Sequence, residues 1–309
     1  MTELTKSTAG AGEPATQTVV SPTEGEPAIA RVTQWGEIRH RFLANRLAVV
    51  GLLLVTVLFL TAIFAPLIAP ADPYHQDLNS TLQSPGGAHW LGTDALGRDQ
   101  FSRIIFGTRI AVEVGLASIF LACFIGIIVG ALAGYFGKAT DSVLMRIADV
   151  FFAFPLLIGA IVIIIAMGRG VMPVIISLAV FSWPTVSRLL RSSILSVREA
   201  DYVLAARALG ASTSRIIIRH IIPNSIAAVM AYAAFSVGGA IVAEASLSFL
   251  GVGVSPEVPE WGNMLASAKD FLGVKDYLWV YPSVAIVLTV LGFVFVGDGL
   301  RDALDPKLR

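Results

Sequence analysis

Six long hydrophobic stretches follow one another along the chain, separated by more polar connections. A helix needs about 20 apolar residues to cross the hydrocarbon core of a bilayer, and the six stretches reach that length. We therefore expect six membrane-spanning helices, at residues 47–69, 110–135, 143–167, 171–190, 226–252 and 278–296. Because the number of spans is even, both termini are expected on the same side of the membrane.

The distribution of basic residues indicates which side that is. Lys and Arg concentrate in the cytoplasmic connections of membrane proteins. Counted over the connections, more than twice as many of them lie on the side of the termini as on the opposite side. We therefore expect cytoplasmic N- and C-termini, and the connection at 196–224 then faces the cytoplasm too.

The composition agrees with this pattern. Of the 309 residues, 55% are hydrophobic and 14% are charged, whereas a soluble domain carries about 25% charged residues. The only cysteine, Cys123, excludes an internal disulfide. The sequence thus predicts an all-α integral membrane protein. The formal net charge of zero points to no partner, and we expect no nucleic-acid binding.

These features divide the chain into four parts. Residues 1–35 form a cytoplasmic tail that we expect to be disordered, because it contains few large apolar side chains. Residues 36–109 hold the first membrane helix and a long extracytoplasmic segment. Residues 110–300 form the transmembrane core with its loop at 196–224, and residues 301–309 form a cytoplasmic C-terminal tail.

The stretch "ADYVLAARALGASTSRIIIRHIIPN" at 200–224 is too polar to span a membrane. Its first part favours a short helix that Gly210 ends. Ser212 or Thr213 can cap a second helix, which continues to Pro223. The pattern predicts two short helices at the cytoplasmic surface.

The first of these helices has a small, smooth surface. Ala205, Ala206 and Ala208 surround Arg207, so a partner's groove can close over the helix while the arginine orients it by hydrogen bonding. The alternative is a helix that lies on lipid headgroups and uses Arg215 and Arg219. An alanine surface holds lipid poorly, which favours a protein partner.

Two groups of residues inside the predicted spans are candidates for a role in helix packing or in function. Gly126, Gly130 and Gly134 share one helix face, which allows another helix of this chain or of a second subunit to approach closely. Ionisable residues within spans are functional candidates by default, and these are Glu113, Asp149 and Glu244.

Helical spacing suggests partners for two of these acids. Arg109 precedes Glu113 by four residues and Arg146 precedes Asp149 by three, so we expect two structural ion pairs. Glu244 has no such neighbour. It either bonds polar groups of other helices or meets a charged substrate terminus in a translocation pathway.

The sequence contains no motif for catalysis or for a bound cofactor. The closest string to a nucleotide-binding P-loop, "GYFGKAT", lacks the first glycine and the hydroxyl residue after the lysine. No His or Cys spacing indicates a metal site. We expect a chain that is not an enzyme and binds no cofactor itself.

The 200–224 stretch resembles the "EAA" loop of the permease subunits of ABC importers. Ala205-Ala206, Gly210, the apolar run 216–218 and Pro223 match that loop in order and spacing, but Leu204 stands where the loop has glutamate. The blocks "HWLGTDALGRDQFSRIIFGTRI", "ADVFFAFP", "AEASLSFLGVGV" and "GDGLRDALDPKLR" are similar to the dipeptide/oligopeptide branch, so the resemblance extends over nearly the whole chain from Trp35.

This resemblance implies the fold of a type I ABC importer transmembrane subunit in the bacterial cytoplasmic membrane. It implies a heterodimer with a second, homologous permease, cytoplasmic ATPase subunits that bind ATP and Mg, and an extracytoplasmic substrate-binding protein near segments 70–100 and 253–277. The 200–224 loop would be the coupling helix, which seats in a cleft of the ATPase. Its contact residues would be Tyr202, Ala205, Ala206, Arg207, Ala208, Leu209, Gly210 and Ala211.

The function implied is the import of dipeptides or oligopeptides. Relatives with the same motifs also carry nickel complexes, glutathione or other small solutes, so those cargoes stay open. An ion-coupled secondary transporter would predict inverted repeats, of which the two halves show no clear sign. The consequence of Leu204 and the role of Glu244 do not follow from the residues.

Overall fold

A computed structural model describes residues 34–304. Most of the predicted N-terminal tail, 1–35, and residues 305–309 of the predicted C-terminal tail lie outside this range. The described range contains no β-strand, only an isolated bridge between Thr93 and Asp99. Its helices are α1 Gln34–Ala44, α2 Arg46–Ile68, α3 Gln100–Phe136, α4 Lys138–Phe152, α5 Leu156–Met167, α6 Val171–Val197, α7 Asp201–Ala208, α8 Thr213–Ile216, α9 Ile222–Ser225, α10 Ala227–Phe249, α11 Trp261–Ala268 and α12 Tyr277–Leu304.

Five of these helices are individually long and apolar enough to cross a membrane: α2, α3, α6, α10 and α12. They correspond to five of the six predicted spans. This arrangement confirms the prediction of an all-α integral membrane protein. The segment between α6 and α10 carries α7, and the segment between α10 and α12 carries α11; we call the corresponding ends of the bundle the α7 end and the α11 end.

The predicted span at 143–167 is not a single straight helix. It consists of α4 and α5, which are bent by 87° at a short break. Pro155 is the N-cap of α5; proline has no N–H to donate and it disfavours helical backbone in the residue before it. Hydropathy along the chain does not register a bend at so short a break.

Helix α3 begins ten residues earlier than predicted and has 37 residues, about 55 Å at 1.5 Å per residue. Asp99 is its N-cap, and one carboxylate oxygen accepts a hydrogen bond from the backbone N–H of Ser102 at 2.8 Å. Since a hydrocarbon core is about 30 Å thick, α3 extends well past the membrane. Its N-terminal part belongs to the α11 end.

Helices α3 and α6 lie side by side over several turns. A Cβ atom added to Gly126 would lie 2.6 Å from the Cβ of Val186, and one added to Gly130 would lie 2.6 Å from the carbonyl oxygen of Ser187. At Gly134 the nearest atom, in Ile194, would be 2.8 Å away. The three glycines therefore face α6 of the same chain and allow the two backbones to approach closely.

Helix α12 lies between α2 and α10. On one side, a Cβ added to Gly51 of α2 would collide with the side chain of Phe295 at 2.6 Å, and on the other a Cβ added to Gly297 would meet Phe235 of α10 at 2.7 Å. At the α11 end, the ring of Trp261 fits over Gly107, and its indole N–H donates to the carbonyl of Ile104 at 3.1 Å. These contacts join α11 to the bundle.

Candidate functional site

The predicted coupling segment contains the helix α7, which ends in a Schellman arrangement. The N–H of Ala211 donates to the carbonyl of Ala206 at 3.1 Å, and the N–H of Gly210 donates to that of Arg207 at 3.0 Å. Gly210 has a φ of +78°, and no atom lies within 4 Å of the position of an added Cβ. Glycine is needed here for its backbone conformation and not for space.

One side chain of α7 packs into the interior of the bundle. Val203 is fully buried and packs in a cluster with Ile216 and Ile221. Most of the remaining surface of α7 and of its C-cap residue is exposed and partly apolar: Tyr202 is 45% exposed, and Leu209, the C-cap, is 88% exposed. Apolar side chains concentrated in this way at one protruding helix indicate a surface that a partner covers.

The remaining predicted contact residues differ in how far they are exposed. Ala205 and Ala208 are exposed, whereas Ala206 and Ala211 are half-buried. Leu204, at the position of the motif's glutamate, is also exposed. An apolar side chain therefore stands on the outer face of α7 where the related loops carry a carboxylate.

Arg207 turns back towards the bundle. Its guanidinium carbon lies 5.8 Å from the ring centroid of Tyr135, in the last turn of α3. This is the distance range of a cation–π contact. The arginine therefore links α7 to the end of α3, and α3 in turn packs along α6.

The second predicted helix, from Ser212 to Pro223, is broken. Helix α8 is followed by a π-helical turn at Ile217–Ile221 and then by α9. Ser212 is the N-cap residue of α8, but its side chain makes no capping hydrogen bond. Pro223 lies in the first turn of α9, where its missing N–H costs nothing, so the helical path continues past it.

The two ion pairs predicted from helical spacing are wrong. Among residues 34–304, no ion pair joins Arg109 to Glu113 or Arg146 to Asp149. Instead Arg188 of α6 pairs with Asp149, and its guanidinium also lies 4.1 Å from the ring centroid of Phe152. A second pair, Arg191 with Asp141, joins the same two helices. Contacts between two helices, and not spacing along one helix, determine these ion pairs.

Glu244 occupies an enclosed position and is 1% exposed. Ser248 donates a hydrogen bond to Oε1 of Glu244 at 3.0 Å, and the carboxyl of Glu260 lies beside that of Glu244. Glu260 approaches Glu244 from the segment before α11, a neighbour that helical spacing within α10 does not reveal. In this conformation Glu244 does not face an open pathway.

Glu260 is the N-cap of α11. Its carboxylate oxygens accept hydrogen bonds from the backbone N–H groups of Gly262 and Asn263, the latter at 2.8 Å. Burial raises the pKa of Glu260, more than these hydrogen bonds lower it. The carboxyl pair thus joins the span α10 to the outer helix α11.

The "LGTDALGRD" block before α3 forms a compact hydrogen-bonded turn. Asp94 accepts hydrogen bonds from the backbone N–H of Leu96 at 2.9 Å, and from both the backbone N–H and the Nε of Arg98 at 3.0 and 2.7 Å. Tyr277 at the start of α12 donates its hydroxyl to the carbonyl oxygens of Gln83 and Thr93. The two outer segments are therefore in direct contact.

No group of three or more His, Cys, Asp or Glu side chains within the described range is arranged to hold a metal ion. The geometry so far is that of a membrane bundle with a protruding helix at one end and a compact, polar cap at the other.

Comparison with known proteins gives this geometry its context. Residues 126–309 match the family described as binding-protein-dependent transport system inner membrane component. The chain belongs to this family. Residues 33–85 match the N-terminal transmembrane domain of oligopeptide transport permease C. The resemblance seen in the sequence is thereby confirmed, and the chain is a multi-pass inner membrane permease component.

Several curated relatives match over almost their whole length. A glutathione transport system permease protein of Pectobacterium atrosepticum is 42% identical over 90% of this chain and 92% of its own. A dipeptide transport system permease protein of Alkalihalophilus pseudofirmus is 39% identical over 92% and 93%. An oligopeptide transport system permease protein of Bacillus subtilis is 39% identical over 89% and 90%.

A solved structure shows the same fold. One chain of the inward-facing MetNI methionine ABC transporter superposes with a TM-score of 0.55 and 19% identity, covering 66% of this chain and 96% of that chain. At this identity the likeness concerns the fold alone, which is that of a type I ABC importer permease.

Proposed function

We propose that this chain is the permease subunit of an ABC importer that carries peptides into the cytoplasm. The observation that carries the proposal is the similarity, over about nine-tenths of the chain, to permeases named for dipeptides, oligopeptides and glutathione. All three of these cargoes are peptides. The chain itself supplies the membrane path, and separate ATPase subunits bind and hydrolyse ATP with Mg.

The α7 end is the cytoplasmic end in this proposal, and the α11 end faces the opposite side. The basic residues of the connections support this orientation. Helix α7 is then the coupling helix, which seats in the ATPase through its exposed alanines and through Tyr202, Leu204 and Leu209. Arg207 and Val203 transmit its movement to α3 and to the cluster beneath it.

A second, homologous permease subunit completes the membrane part. Arg188 and Asp149 support this proposal, because their side chains are 47% and 56% exposed although they lie on helices that cross the membrane. Charged groups within a membrane are covered by protein or face a water-filled cavity. A substrate-binding protein delivers the peptide at the α11 end, where segments 70–100 and 253–277 meet.

Glutathione is the second candidate cargo, favoured by the 42% identical relative. Competition distinguishes the two: unlabelled glutathione should suppress uptake of labelled trialanine only if both compounds use this importer. An ion-coupled carrier, the remaining alternative, would need no ATP.

The substitution Ala208→Trp tests the coupling helix. An indole on the exposed face of α7 overfills a groove that accepts alanine, so we expect loss of peptide uptake and of substrate-stimulated ATP hydrolysis, with normal membrane insertion. Ala208→Ser is the matched control, since a hydroxyl adds little volume, and it should retain uptake. Reversal of charge at Arg207 should also uncouple the complex. Normal uptake by Ala208→Trp would show that α7 faces lipid.

A further inference from the structure

Helix α6 carries a row of hydroxyl side chains along one side. Ser182, Thr185, Ser192 and Ser196 recur at intervals of three, seven and four residues, which places them on one helix face. Ser182 and Thr185 are half-buried, and Ser192 and Ser196 are exposed. We call these four residues the hydroxyl row. Leu189 lies at the centre of the same face.

The exposed faces of other spans have a different chemistry. On α3 the exposed side chains include Phe120, Phe124 and Ile128, which follow one another at intervals of four residues. Such a face suits lipid, because it contains no group that needs water. The hydroxyl row of α6 offers donors and acceptors instead, so it suits a wet or peptide-lined surface.

A large cavity opens beside the hydroxyl row. It has a volume of about 650 Å³ and lies between α6, α10 and α12. Leu189 of α6, Tyr232, Ser236 and Gly239 of α10, and Arg301 of α12 are among the residues that line it. Pockets for small ligands commonly have volumes of roughly 300–1,000 Å³, so the cavity is large enough for a short peptide.

A second cavity of about 300 Å³ continues the first towards the α7 end. The two share Arg301 in their linings, and the second adds Ser193 and Ser225. Ser225 is 2% exposed, and its hydroxyl has no hydrogen-bond partner among the described residues. A buried hydroxyl without a partner is costly, and a ligand in this cavity can supply the missing bond.

We propose that this continuous groove is the chain's share of the translocation path and that it holds a short peptide during transport. The hydroxyls of Tyr232, Ser236 and Ser193, which line the groove, bond the peptide amides. Arg301 at the α7 end receives the C-terminal carboxylate. Hydroxyl groups bond any backbone equally, so the groove accepts peptides of many sequences. This inference rests on the proposed import of peptides.

The substitution Gly239→Leu tests the groove by filling it. No atom lies within 4 Å of a Cβ added at Gly239, so the new side chain has room and projects into the cavity. We expect loss of trialanine uptake while the complex still assembles. The neighbouring glycine supplies the control. A Cβ at Gly238 makes ordinary contacts of 3.5 Å with Val290 of α12, so Gly238→Ala should retain uptake. Normal uptake by Gly239→Leu would overturn the proposal.

Cysteine labelling tests the same surface without relying on loss of function. In a Cys123→Ala background, Ser193→Cys and Ser236→Cys, at positions that line the two cavities, should react with a membrane-impermeant, water-soluble thiol reagent in the assembled complex, and trialanine should slow the reaction. Phe124→Cys on the lipid-type face of α3 is the control and should not react. Unreactive groove positions in a complex that imports trialanine would show that lipid or the second permease covers this face, which overturns the proposal.

The two proposals fail in distinguishable ways. A complex that imports trialanine but shows no protection of the groove cysteines refutes the peptide site and leaves peptide import standing. Reactive groove cysteines in a complex that imports no peptide refute peptide as the occupant of a water-filled path.

Discussion

At the scale of single residues, the carboxyl pair of Glu244 and Glu260 is the most constrained feature of the bundle. Glu244 accepts a hydrogen bond from Ser248, and Glu260 accepts two from backbone N–H groups of α11. Both side chains are almost completely buried, at 1% and 2% exposure. The pair therefore marks the place where α10 and the start of α11 pack against each other.

We expect Glu244 to be needed for transport but not for assembly. Glu244→Ala removes the buried acceptor of the Ser248 hydroxyl, at a cost of about 1–3 kcal/mol. Uptake of trialanine should fall while the complex still forms. Glu244→Gln, which preserves shape and hydrogen bonding, is the control and should retain most uptake. Unchanged uptake by Glu244→Ala, in a complex that forms normally, would refute this role.

The raised pKa of Glu260 predicts a dependence of stability on pH. Its folded-state pKa lies above the ordinary value of 4.5 because the carboxyl is buried. The contribution of Glu260 to the free energy of unfolding is fully present below the unfolded-state pKa and is lost as the pH rises through the folded-state pKa. Between these two pKa values, the melting temperature of the complex should therefore fall less steeply with pH in Glu260→Gln than in the parent protein. Glu257→Gln, at an exposed neighbour, should match the parent protein. Identical slopes in all three would contradict the assignment.

At the scale of helices, the contact between α3 and α6 depends on glycines, which have no side chain to separate the two backbones. An added Cβ at Gly130 would lie 2.6 Å from a backbone oxygen of α6, which cannot move without the helix. Gly130→Leu should therefore destabilise the complex by at least about 1–3 kcal/mol, the usual cost of overpacking. Thermal unfolding measures the effect. Gly239→Ala, which adds a Cβ in open space, should leave the melting temperature unchanged, and equal stability of both variants would contradict this view of α3 and α6.

The end of α7 depends on one backbone conformation. Gly210→Val would force a β-branched residue into a positive φ, at a cost of roughly 1–2 kcal/mol. We expect it to loosen α7 and to lower substrate-stimulated ATP hydrolysis more than basal hydrolysis. Gly210→Asn is the control, since asparagine tolerates this conformation. Equal coupling in both variants would show that the order of α7 does not limit transmission.

The sequence predicts these elements well where local pattern decides them. The apolar runs locate the spans, and Gly210 marks the end of α7. The bend between α4 and α5 was missed because both segments are apolar and only Pro155 interrupts them. The partner of Asp149 was missed because Arg188 is 39 residues away and lies on another helix. Glu260 was missed for the same reason, since a loop separates it from Glu244.

At the scale of the whole molecule, the two ends of the described chain differ. Hydrogen bonds join the outer segments at the α11 end, and the groove between α6, α10 and α12 reaches Arg301 at the α7 end. The exposed ion pair of Arg188 and Asp149 faces outwards from the same helix α6. This geometry fits one half of a transporter whose other half is a second subunit.

The most direct test of the account is uptake of labelled trialanine by proteoliposomes that contain the complex purified through this chain. We predict that the purified complex contains an ATPase and a second permease, and that uptake requires both ATP and the substrate-binding protein. A chain that purifies alone and still moves solute into liposomes without ATP would contradict the account.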